Sequence, residues 1–390
     1  MAKVIIIGPG HPLRGGLATF NQRLAKEFID SGNDCSIYSF SLQYPSFLFP
    51  GKTQYSDEPA PAGLKINSVI NSINPFNWIK TGNRLKKEKA DIIVVRFWLP
   101  FMGPALGTIL RRVRKNRHTK IICIADNIKP HEKRFGDRSF TKYFLKSCDA
   151  FITMSEKVMD DLRLFQKTLP TGRQAKPAKL VSHPLYDNFG DLISKEEARK
   201  HLGLAENEKI ILFFGFIRKY KGLDLLLEAM SILRIQDPGS RIKLLVAGEF
   251  YEDEKPFKEQ IEKLGIKDQL ILKTDFIPDS EVKYYLCAAD AVIQPYRNAT
   301  QSGVTPLAYH FERPMVVTNV GGLPSLVPDG KVGLVVEPNP AAIADGIIKF
   351  YQLGEQYFIP HLREEKQKYS WEKLVTAITN LANLVEESET

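Results

Sequence analysis

The chain has 390 residues, of which 43% are hydrophobic and 25% charged. This length indicates about two domains, and these proportions exclude a wholly disordered chain. No apolar run approaches the roughly 18 residues that span a bilayer. The first residues, MAKVIIIGPG, are typical of a buried strand and not of a signal peptide. Four scattered cysteines without metal-type spacing indicate a cytoplasmic protein with reduced thiols.

Charge is distributed unevenly between the two halves. Residues 1–180 contain 30 Lys and Arg against 14 Asp and Glu, a net charge of +16, whereas residues 181–390 contain 24 against 31, a net charge of −7. A basic half favours an anionic partner, such as a membrane surface, a phosphorylated lipid or nucleic acid. The alternative is a solubility bias without any partner.

The first half alternates short apolar runs with helical patterns. Lys3–Gly8 predicts the first strand, and Leu17–Ser31 predicts a helix from its apolar spacing. A second helix is expected at Ser139–Ser147. Further strands are expected at Asp34–Phe40, Asp91–Val95, Thr119–Ala125 and Phe151–Ser155. The alternation predicts a doubly wound α/β sheet. The proline-containing, basic segment Gln166–Leu180 is expected to be a loop near the domain boundary.

The same rhythm restarts in the second half. The expected strands are Lys209–Gly215, Lys243–Gly248, Gln269–Lys273, Ala291–Gln294 and Met315–Thr318, and the expected helices are Leu223–Arg234, Phe257–Leu264, Ser280–Ala289 and Thr305–Phe311. Two successive α/β domains of similar size follow. Because ligands of such sheets bind outside the carboxyl ends of the strands, the strand-to-helix turns are the candidate sites.

The first candidate turn is GPGHPLRGGLATF, which contains Gly15 and Gly16 directly before the first helix. Backbone amides at a helix N-terminus can hold an anion when no side chain blocks their approach. The spacing is not GxGxxG, and a glycine pair can equally serve a tight turn.

The second candidate turn is FFGFIRKYKGLDLLLEAM, where a strand ends at Gly215. Arg218 and Lys221 follow within one turn, directly before a helix. A guanidinium fork and an ammonium at this position suit a diphosphate. The alternative is a solvated basic turn.

The third candidate turn, NATQSG, is unusually polar for a connection between a strand and a buried helix. Its hydroxyl and amide side chains could bond sugar hydroxyls or diphosphate oxygens. They could instead only cap the helix. The selected residues are Thr300, Gln301, Ser302 and Gly303. A fourth turn, NVGGLPSLV, offers the glycine pair that ends at Gly322.

Together, FFGFIRKYKGLDLLLEAM and PMVVTNVGGLPSLVPDGKVGLVVEP resemble the retaining glycosyltransferases of family 4, which have the GT-B fold. RGGLATFNQRLAKEFIDSGNDCSIYS, CDAFITMSEKVMDDL and YSWEKLVTAITNLANL are similar to other segments of that family, so the resemblance covers nearly the whole chain. It implies two Rossmann-like domains that face each other across a cleft. The second domain would bind a nucleoside diphosphate sugar and the first an acceptor.

The resemblance also implies roles for individual residues. Lys221 matches the family's lysine before glycine. The family's arginine position is occupied by Phe216, which leaves Arg218 as the nearest substitute. The family's two glutamates, eight positions apart, correspond to Ala299 and Leu307. The resemblance therefore implies that neutral donors of the NATQSG turn replace the first acid, and that fixed cations stabilise the leaving diphosphate without a metal ion.

On the acceptor side, the family's histidine position is occupied by Asp126, and His131 follows five residues later. Either side chain could contact the acceptor hydroxyl as a base or as a hydrogen-bond acceptor. In the retaining reaction the leaving diphosphate itself can take that proton. Asp126 as a helix cap and His131 as a bystander are the structural alternatives.

The segment Phe97–Lys120 joins aromatic and apolar residues to a cluster of six cations. This combination favours contact with an anionic membrane surface. The alternative is a buried helix whose last turn is basic because of the helix dipole. Nucleic acid is not favoured as a partner, because no recognised binding motif is present.

The sequence therefore predicts a retaining hexosyltransferase of GT-B fold, cytoplasmic and peripheral on the inner face of the membrane. Its donor would be a UDP- or GDP-sugar, and its acceptor a hydroxyl of a glycan, lipid-linked or small molecule. The expected domains are 1–180 on the acceptor side, 181–365 on the nucleotide-sugar side, and a C-terminal helix in 366–390 that packs back toward the first domain. The alternatives are a non-catalytic sugar-nucleotide-binding protein and a sugar-nucleotide epimerase.

Overall fold

A computed structural model of the chain describes residues 1–45, 53–128, 136–167, 175–237, 239, 241–299 and 302–387. The chain forms two compact units. The first comprises Met1–Pro184 together with Ser370–Thr390, and the second comprises Leu185–Tyr369.

Within the described residues, the first unit contains a parallel sheet of seven strands in the order β3-β2-β1-β4-β5-β6-β7. The strands are β1 (Lys3–Ile7), β2 (Asp34–Leu42), β3 (Lys65–Asn71), β4 (Ile92–Phe97), β5 (Lys120–Ala125), β6 (Ala150–Thr153) and β7 (Ala178–Leu180). The connecting helices are α1 (Gly16–Asp30), α2 (Pro75–Glu88), α3 (Gly103–Val113), α4 (Asp137–Leu145) and α5 (Glu156–Lys167). The central strands are almost wholly buried, as expected for parallel strands covered on both faces.

The second unit contains, in the part of the chain that is described, a parallel sheet of six strands in the order β10-β9-β8-β11-β12-β13. The strands are β8 (Lys209–Phe214), β9 (Ile242–Ala247), β10 (Leu270–Lys273), β11 (Ala291–Gln294), β12 (Met315–Thr318) and β13 (Gly333–Val336). The helices are α6 (Lys195–Leu202), α7 (Leu223–Gln236), α8 (Lys255–Leu264), α9 (Val282–Ala288), α10 (Val304–His310), α11 (Leu323–Leu326), α12 (Pro340–Leu353) and α13 (Glu355–Glu365).

The last helix, α14 (Trp371–Glu387), belongs to the first unit. It packs against α1, β5 and β6. The Trp371 ring lies 4.8 Å from the Phe20 ring, and the Arg23 guanidinium lies 5.1 Å from the centre of the same indole. The first unit is therefore built from two separate stretches of chain.

Each sheet has one point where the strand order reverses. In the first sheet, β1 pairs with both β2 and β4, and in the second, β8 pairs with both β9 and β11. At such a point the turns after the two central strands diverge to opposite faces and leave a crevice at the carboxyl edge of the sheet. Both crevices are positions where a ligand can bind.

The predicted α/β class is confirmed, with two local corrections. The expected loop Gln166–Leu180 ends in β7, which pairs with β6. In Phe97–Lys120 most apolar side chains are buried, and Trp98, Leu99 and Phe101 are half-buried: Phe97 stacks on Phe144 with ring centres 4.2 Å apart, and the apolar face of α3 lies in the core. This segment is thus a buried helix with a basic last turn. No described helix has both the length and the hydrophobicity needed to cross a bilayer.

Candidate functional site

The turn after β8 brings two cations to the carboxyl edge of the second sheet. Residues 219–221 form a single turn of 3-10 helix that ends at Gly222, whose φ is +69°. A Cβ at Gly222 would lie 2.0 Å from the carbonyl oxygen of Pro295, which directly follows β11. Only glycine permits both this conformation and this approach. The main-chain N–H of Arg297 also donates to the Tyr220 carbonyl at 2.7 Å, so the turns after β8 and β11 are joined.

The Lys221 side chain is buried at the start of α7, with 8% of its surface exposed. Its ammonium lies 5.9 Å from the centre of the Tyr296 ring, and a Cβ at Gly215 would lie 3.1 Å from the same nitrogen. Among the described residues, no carboxylate pairs with Lys221. Burial, and to a lesser degree the positive Arg218, lower the pKa of Lys221 to about 7. A buried amine without a counter-ion is suited to receive an anion.

Arg218 begins the same turn with an extended backbone. Its side chain is half-buried, and its guanidinium lies 5.0 Å from the centre of the Tyr251 ring. Tyr251 also stacks on Phe216 at 4.1 Å. The aromatic pair packs against one side of the guanidinium and leaves its N–H groups available to bind an anion.

The turn before α10 is fixed by a buried glutamine. Gln294 Oε1 accepts hydrogen bonds from Ser302 Oγ at 2.6 Å and from Thr305 Oγ1 at 3.1 Å. Ser302 Oγ in turn accepts the N–H of Val304 at 3.2 Å, and the Tyr296 hydroxyl lies 3.3 Å away. These hydrogen bonds hold the turn in place through Ser302, and its predicted contact with a donor stays a prediction.

The other residues of this turn are less constrained. Gly303 has an ordinary φ of −71°, and a Cβ there would lie 3.7 Å from the Tyr186 ring. Thr300 and Gln301 lie outside the described residues, so their contacts to a donor stay predictions.

The glycine pair after β12, Gly321 and Gly322, also contacts the turn between β11 and α10. Gly321 has a φ of +55°, and a Cβ there would lie 1.6 Å from the Ala299 carbonyl oxygen. The N–H of Gly322 donates to that carbonyl at 3.3 Å. The close approach of the two turns requires glycine at Gly321, and contact of Gly322 with a donor stays a prediction.

At the corresponding edge of the first sheet, Arg96 of β4 and Asp126 after β5 form a buried ion pair. Arg96 Nε donates to Asp126 Oδ2 and Nη2 donates to Oδ1, each at 2.7 Å. The guanidinium carbon lies 3.8 Å from the centre of the Phe20 ring. Asp126 is therefore paired with Arg96 in the described part of the chain, and its contact with an acceptor stays a prediction. His131 lies outside the described residues.

Several buried polar atoms near this ion pair have no hydrogen-bond partner among the described residues: Arg96 Nη1, Asn21 Oδ1 and Thr153 Oγ1. A Cβ at Gly8 would lie 2.5 Å from Asn21 Nδ2 and 3.3 Å from Arg96 Cβ, which places these two side chains side by side. Thr153 pairs with Ala125, which pairs with Phe97, so Thr153 lies one position beyond the level of Arg96 and on the other face of the sheet. Unsatisfied buried polar atoms need an explanation, and a bound polar ligand or water supplies one.

The turn that opens α1 lies at the same edge of the first sheet. Gly15 precedes the helix with a φ of +98°, and its carbonyl accepts the N–H groups of Ala18 and Thr19. Gly16 is the first residue of the helix. The backbone of this turn carries no bulky side chain at the point where α1 begins.

Comparison with known proteins agrees with this arrangement. Residues 194–369 match the family described as Glycosyl transferases group 1. The fold is similar to that of sucrose-phosphate synthase from Thermosynechococcus elongatus, with a TM-score of 0.72 at 14% identity over 99% of this chain and 100% of that one. The chain therefore has the GT-B fold, and its second unit matches a glycosyltransferase family.

Two further proteins are similar to this chain. Anabaena HepE in complex with UDP-glucose has a TM-score of 0.68 at 16% identity, over 99% of each chain. D-inositol 3-phosphate glycosyltransferase of Corynebacterium urealyticum is 31% identical over 193 residues. That match covers 48% of this chain and 45% of the relative, so the chain spans about half the length of that curated relative.

The chain has apolar residues at the two positions where the sequence resemblance places glutamates. Ala299 and Leu307 are both buried, with 2% and 6% of their surfaces exposed. The Ala299 carbonyl is bonded to Gly322, and Leu307 lies inside α10. Both positions therefore hold buried apolar side chains and no carboxylate.

Two important residues were not selected from the sequence. Arg96 interrupts the apolar run IIVVRF, and a charge inside a buried strand was the available signal. Gln294 ends the apolar run AVIQ in the same way. Their partners lie 30 and 8 to 11 residues away, a distance that no local pattern reveals.

Proposed function

We propose that this protein transfers a hexose from a nucleoside diphosphate sugar to an acceptor hydroxyl, with retention of configuration at the anomeric carbon. The observation that carries the proposal is the buried amine of Lys221, which has no carboxylate partner among the described residues and lies one turn from Arg218 at the switch point of the second sheet. A diphosphate group is the anion that such a pair of cations suits.

The two cations would act on the leaving group. As the bond between the sugar and the diphosphate breaks, negative charge grows on the diphosphate oxygens. Arg218 and Lys221 are already in place to stabilise it, so no reorganisation is needed during the reaction. A bound diphosphate also favours the ammonium form of Lys221 and raises its pKa above the ligand-free value. We assign no metal ion to this step, because the two fixed cations supply the charge.

The donor is proposed to be a UDP-sugar, with GDP-sugars as the alternative. HepE, whose fold this chain shares, is described in complex with UDP-glucose. The Thr300–Gly303 turn would contact the sugar or the diphosphate, and residues 181–365 would form the donor side. Arg218 and Lys221 would contact only the diphosphate and so would not distinguish uracil from guanine. Other parts of the second unit would recognise the nucleobase.

The acceptor is proposed to bind the first unit, within residues 1–180. Its support is the pair of unpartnered polar atoms of Arg96 and Asn21, among the described residues, at the carboxyl edge of that sheet where α1 begins. Glycans, lipid-linked sugars and small polyols are the candidate classes. One relative is named for D-inositol 3-phosphate, so polyols and their phosphates are the first acceptors to screen.

We place the enzyme in the cytoplasm, peripheral on the inner face of the membrane. All four cysteines are buried and free, which supports a reducing compartment.

The test is release of nucleoside diphosphate from UDP- and GDP-sugars by the purified chain, with polyol, glycan and lipid-linked acceptors supplied. Lys221→Ala and Arg218→Ala should each lower kcat about a hundredfold. Lys219→Ala is the matched control, because Lys219 is an exposed cation of the same turn. Proton NMR of the product would give the anomeric configuration, and chelator should not change the rate.

Two other results would assign a different function. Turnover of the donor without an acceptor would indicate an epimerase. Binding of UDP without any turnover would indicate a non-catalytic protein, which the absence of carboxylates at Ala299 and Leu307 favours as the second candidate. If no sugar nucleotide is bound or consumed, the proposal fails.

A further inference from the structure

The outer face of α2 is the most exposed apolar and basic surface of the first unit among the described residues. Phe76 is 85% exposed and Ile79 is 36% exposed, and Ile73, just before the helix, is 50% exposed. The same face continues with polar and basic residues at helical spacing. We define the α2 face as Phe76, Ile79, Lys80, Asn83, Arg84 and Lys87.

The charge of the α2 face is purely positive. Lys80 and Lys87 have no carboxylate partner among the described residues, and the Arg84 guanidinium lies 5.4 Å from the centre of the Tyr38 ring. The acid at the margin, Glu88, is neutralised by Lys3, whose ammonium lies 2.6 Å from its carboxylate. The face thus has an apolar end around Phe76 and three cations along the rest of its length.

The orientation of this face is fixed by the opposite side of the helix. A Cβ at Gly82 would lie 2.7 Å from Arg112 Cβ and 2.9 Å from the Ile109 carbonyl oxygen, so α2 packs closely on α3. Asn74 caps the helix by accepting the N–H groups of Phe76 and Asn77 at 3.0 and 3.2 Å. The packing and capping of α2 therefore direct Phe76 toward solvent.

We propose that the α2 face, together with Ile73, is a docking surface for an anionic lipid bilayer. Large apolar side chains enter the boundary between headgroups and acyl chains, while cations on the same face meet the lipid phosphates. The excess of cations in residues 1–180, 30 against 14 acids, acts in the same direction. Nucleic acid would use the cations but would leave the exposed isoleucines in water. The surface differs from the Phe97–Lys120 segment, most of whose apolar side chains are buried.

Vesicle sedimentation of the full chain tests the proposal without relying on enzymatic activity. The chain should bind vesicles of phosphatidylcholine mixed with phosphatidylglycerol, bind vesicles of phosphatidylcholine alone far less, and be released by salt. Both Phe76→Ser and the triple variant Lys80→Gln, Arg84→Gln, Lys87→Gln should weaken binding at least tenfold. Since these side chains lie at the surface, the variants should keep the unfolding midpoint of the wild type.

Matched controls exist in the second unit. Ile235→Ser removes an apolar side chain that is 77% exposed, and the triple variant Lys200→Gln, Lys263→Gln, Lys267→Gln removes three exposed cations. Neither should change vesicle binding. Equal loss in test and control variants, or no binding to anionic vesicles, would overturn the proposal. Binding to RNA but not to vesicles would overturn it in favour of a nucleic acid partner.

A second measurement separates insertion from charge attraction alone. In Phe76→Trp, the added indole should show a blue-shifted emission on anionic vesicles that the wild type lacks. An unshifted emission from bound protein would show that Phe76 stays in water and would remove the apolar part of the proposal. Because neither assay measures turnover, failure here and failure of the proposed transferase activity are distinguishable.

Discussion

Asp126 accepts two hydrogen bonds of 2.7 Å from Arg96, and the two side chains are 12% and 4% exposed. A buried two-point ion pair holds the ends of β4 and β5 together at the edge where an acceptor is proposed to bind. Removing one partner leaves the other charge buried without compensation. The ion pair therefore stabilises the first unit, whether or not Asp126 also takes part in the reaction.

Replacing Asp126 by alanine should lower the free energy of unfolding by about 3–5 kcal/mol, because the Arg96 guanidinium would then be buried alone. Denaturant unfolding measures this change. The control is Asp160→Ala, since Asp160 pairs with Arg163 at the surface at 3.7 Å and should contribute less than about 1 kcal/mol. A normally stable Asp126→Ala protein with no turnover would instead favour Asp126 as the acceptor base.

The lowered pKa of Lys221 predicts a pH dependence of UDP binding. At a pKa of about 7 the amine is mostly protonated at pH 6 and mostly neutral at pH 8. Binding an anion requires the ammonium, so the affinity should fall about tenfold between these values and a proton should be taken up at pH 8. Calorimetry in buffers of different ionisation enthalpy measures both. Lys221→Arg, which stays protonated, should lose this slope, and an unchanged slope would contradict the assignment.

The same group predicts a pH dependence of stability. The unfolded chain keeps this amine protonated up to about pH 10.5, whereas the folded chain releases the proton near 7. Between these values the unfolded chain binds more protons, so this group makes the free energy of unfolding rise with pH. In Lys221→Met that contribution should be absent, which paired denaturant titrations at pH 7 and 9 would show.

His183 should destabilise the first unit in mild acid. Its Nδ1–H donates to the Pro184 carbonyl at 2.7 Å, and burial lowers the pKa of the imidazole to about 4 from 6.5. The unfolded chain therefore binds more protons between pH 4 and 6.5, and stability falls as the pH drops through this window. At pH 5 the loss should be about 2 kcal/mol relative to pH 7. The variant His183→Gln should lose less stability between pH 7 and pH 5 than the wild type. The control His118→Gln, at an exposed histidine, should lose as much as the wild type.

Substitutions at Ser302 and at its neighbours Thr300 and Gln301 should separate effects on stability from effects on donor binding. Ser302→Ala removes a hydrogen bond to buried Gln294 and should cost about 1 kcal/mol of stability with little change in the donor KM. Thr300→Val with Gln301→Leu should raise the donor KM and leave stability unchanged, if these side chains contact the sugar. Steady-state kinetics and thermal unfolding of both variants decide this point. An unchanged KM in the double variant would show that the turn only caps α10.

The fold was predictable where buried strands read as continuous apolar runs, such as KVIII at β1 and AVIQ at β11. The strand β3, with the sequence KINSVIN, was missed because it lies at the sheet edge and mixes polar with apolar residues. The helix α2 was missed because its polar face outweighs its narrow buried side. Exposed elements leave a weak hydrophobic signal because packing demands little of them.

The candidate site was predictable to the level of turns. The rule that ligands bind at the carboxyl ends of strands selected the segment that holds Lys221 and Arg218. This rule could not show that Lys221 is buried with no carboxylate partner among the described residues. Nor could it show that Ser302 is hydrogen-bonded to Gln294. Both facts depend on contacts between turns that are far apart in the chain, and residue type alone does not encode them.

The placement of α14 in the first unit sets an order for folding during synthesis. Residues 185–369 are continuous, so the second unit can complete its own sheet as soon as it leaves the ribosome. The first unit must wait for Trp371 and the rest of α14, and until then the Phe20 side of α1 stays uncovered. The first unit is therefore completed after the second. A truncation at residue 369 would remove α14 and destabilise the first unit more than the second.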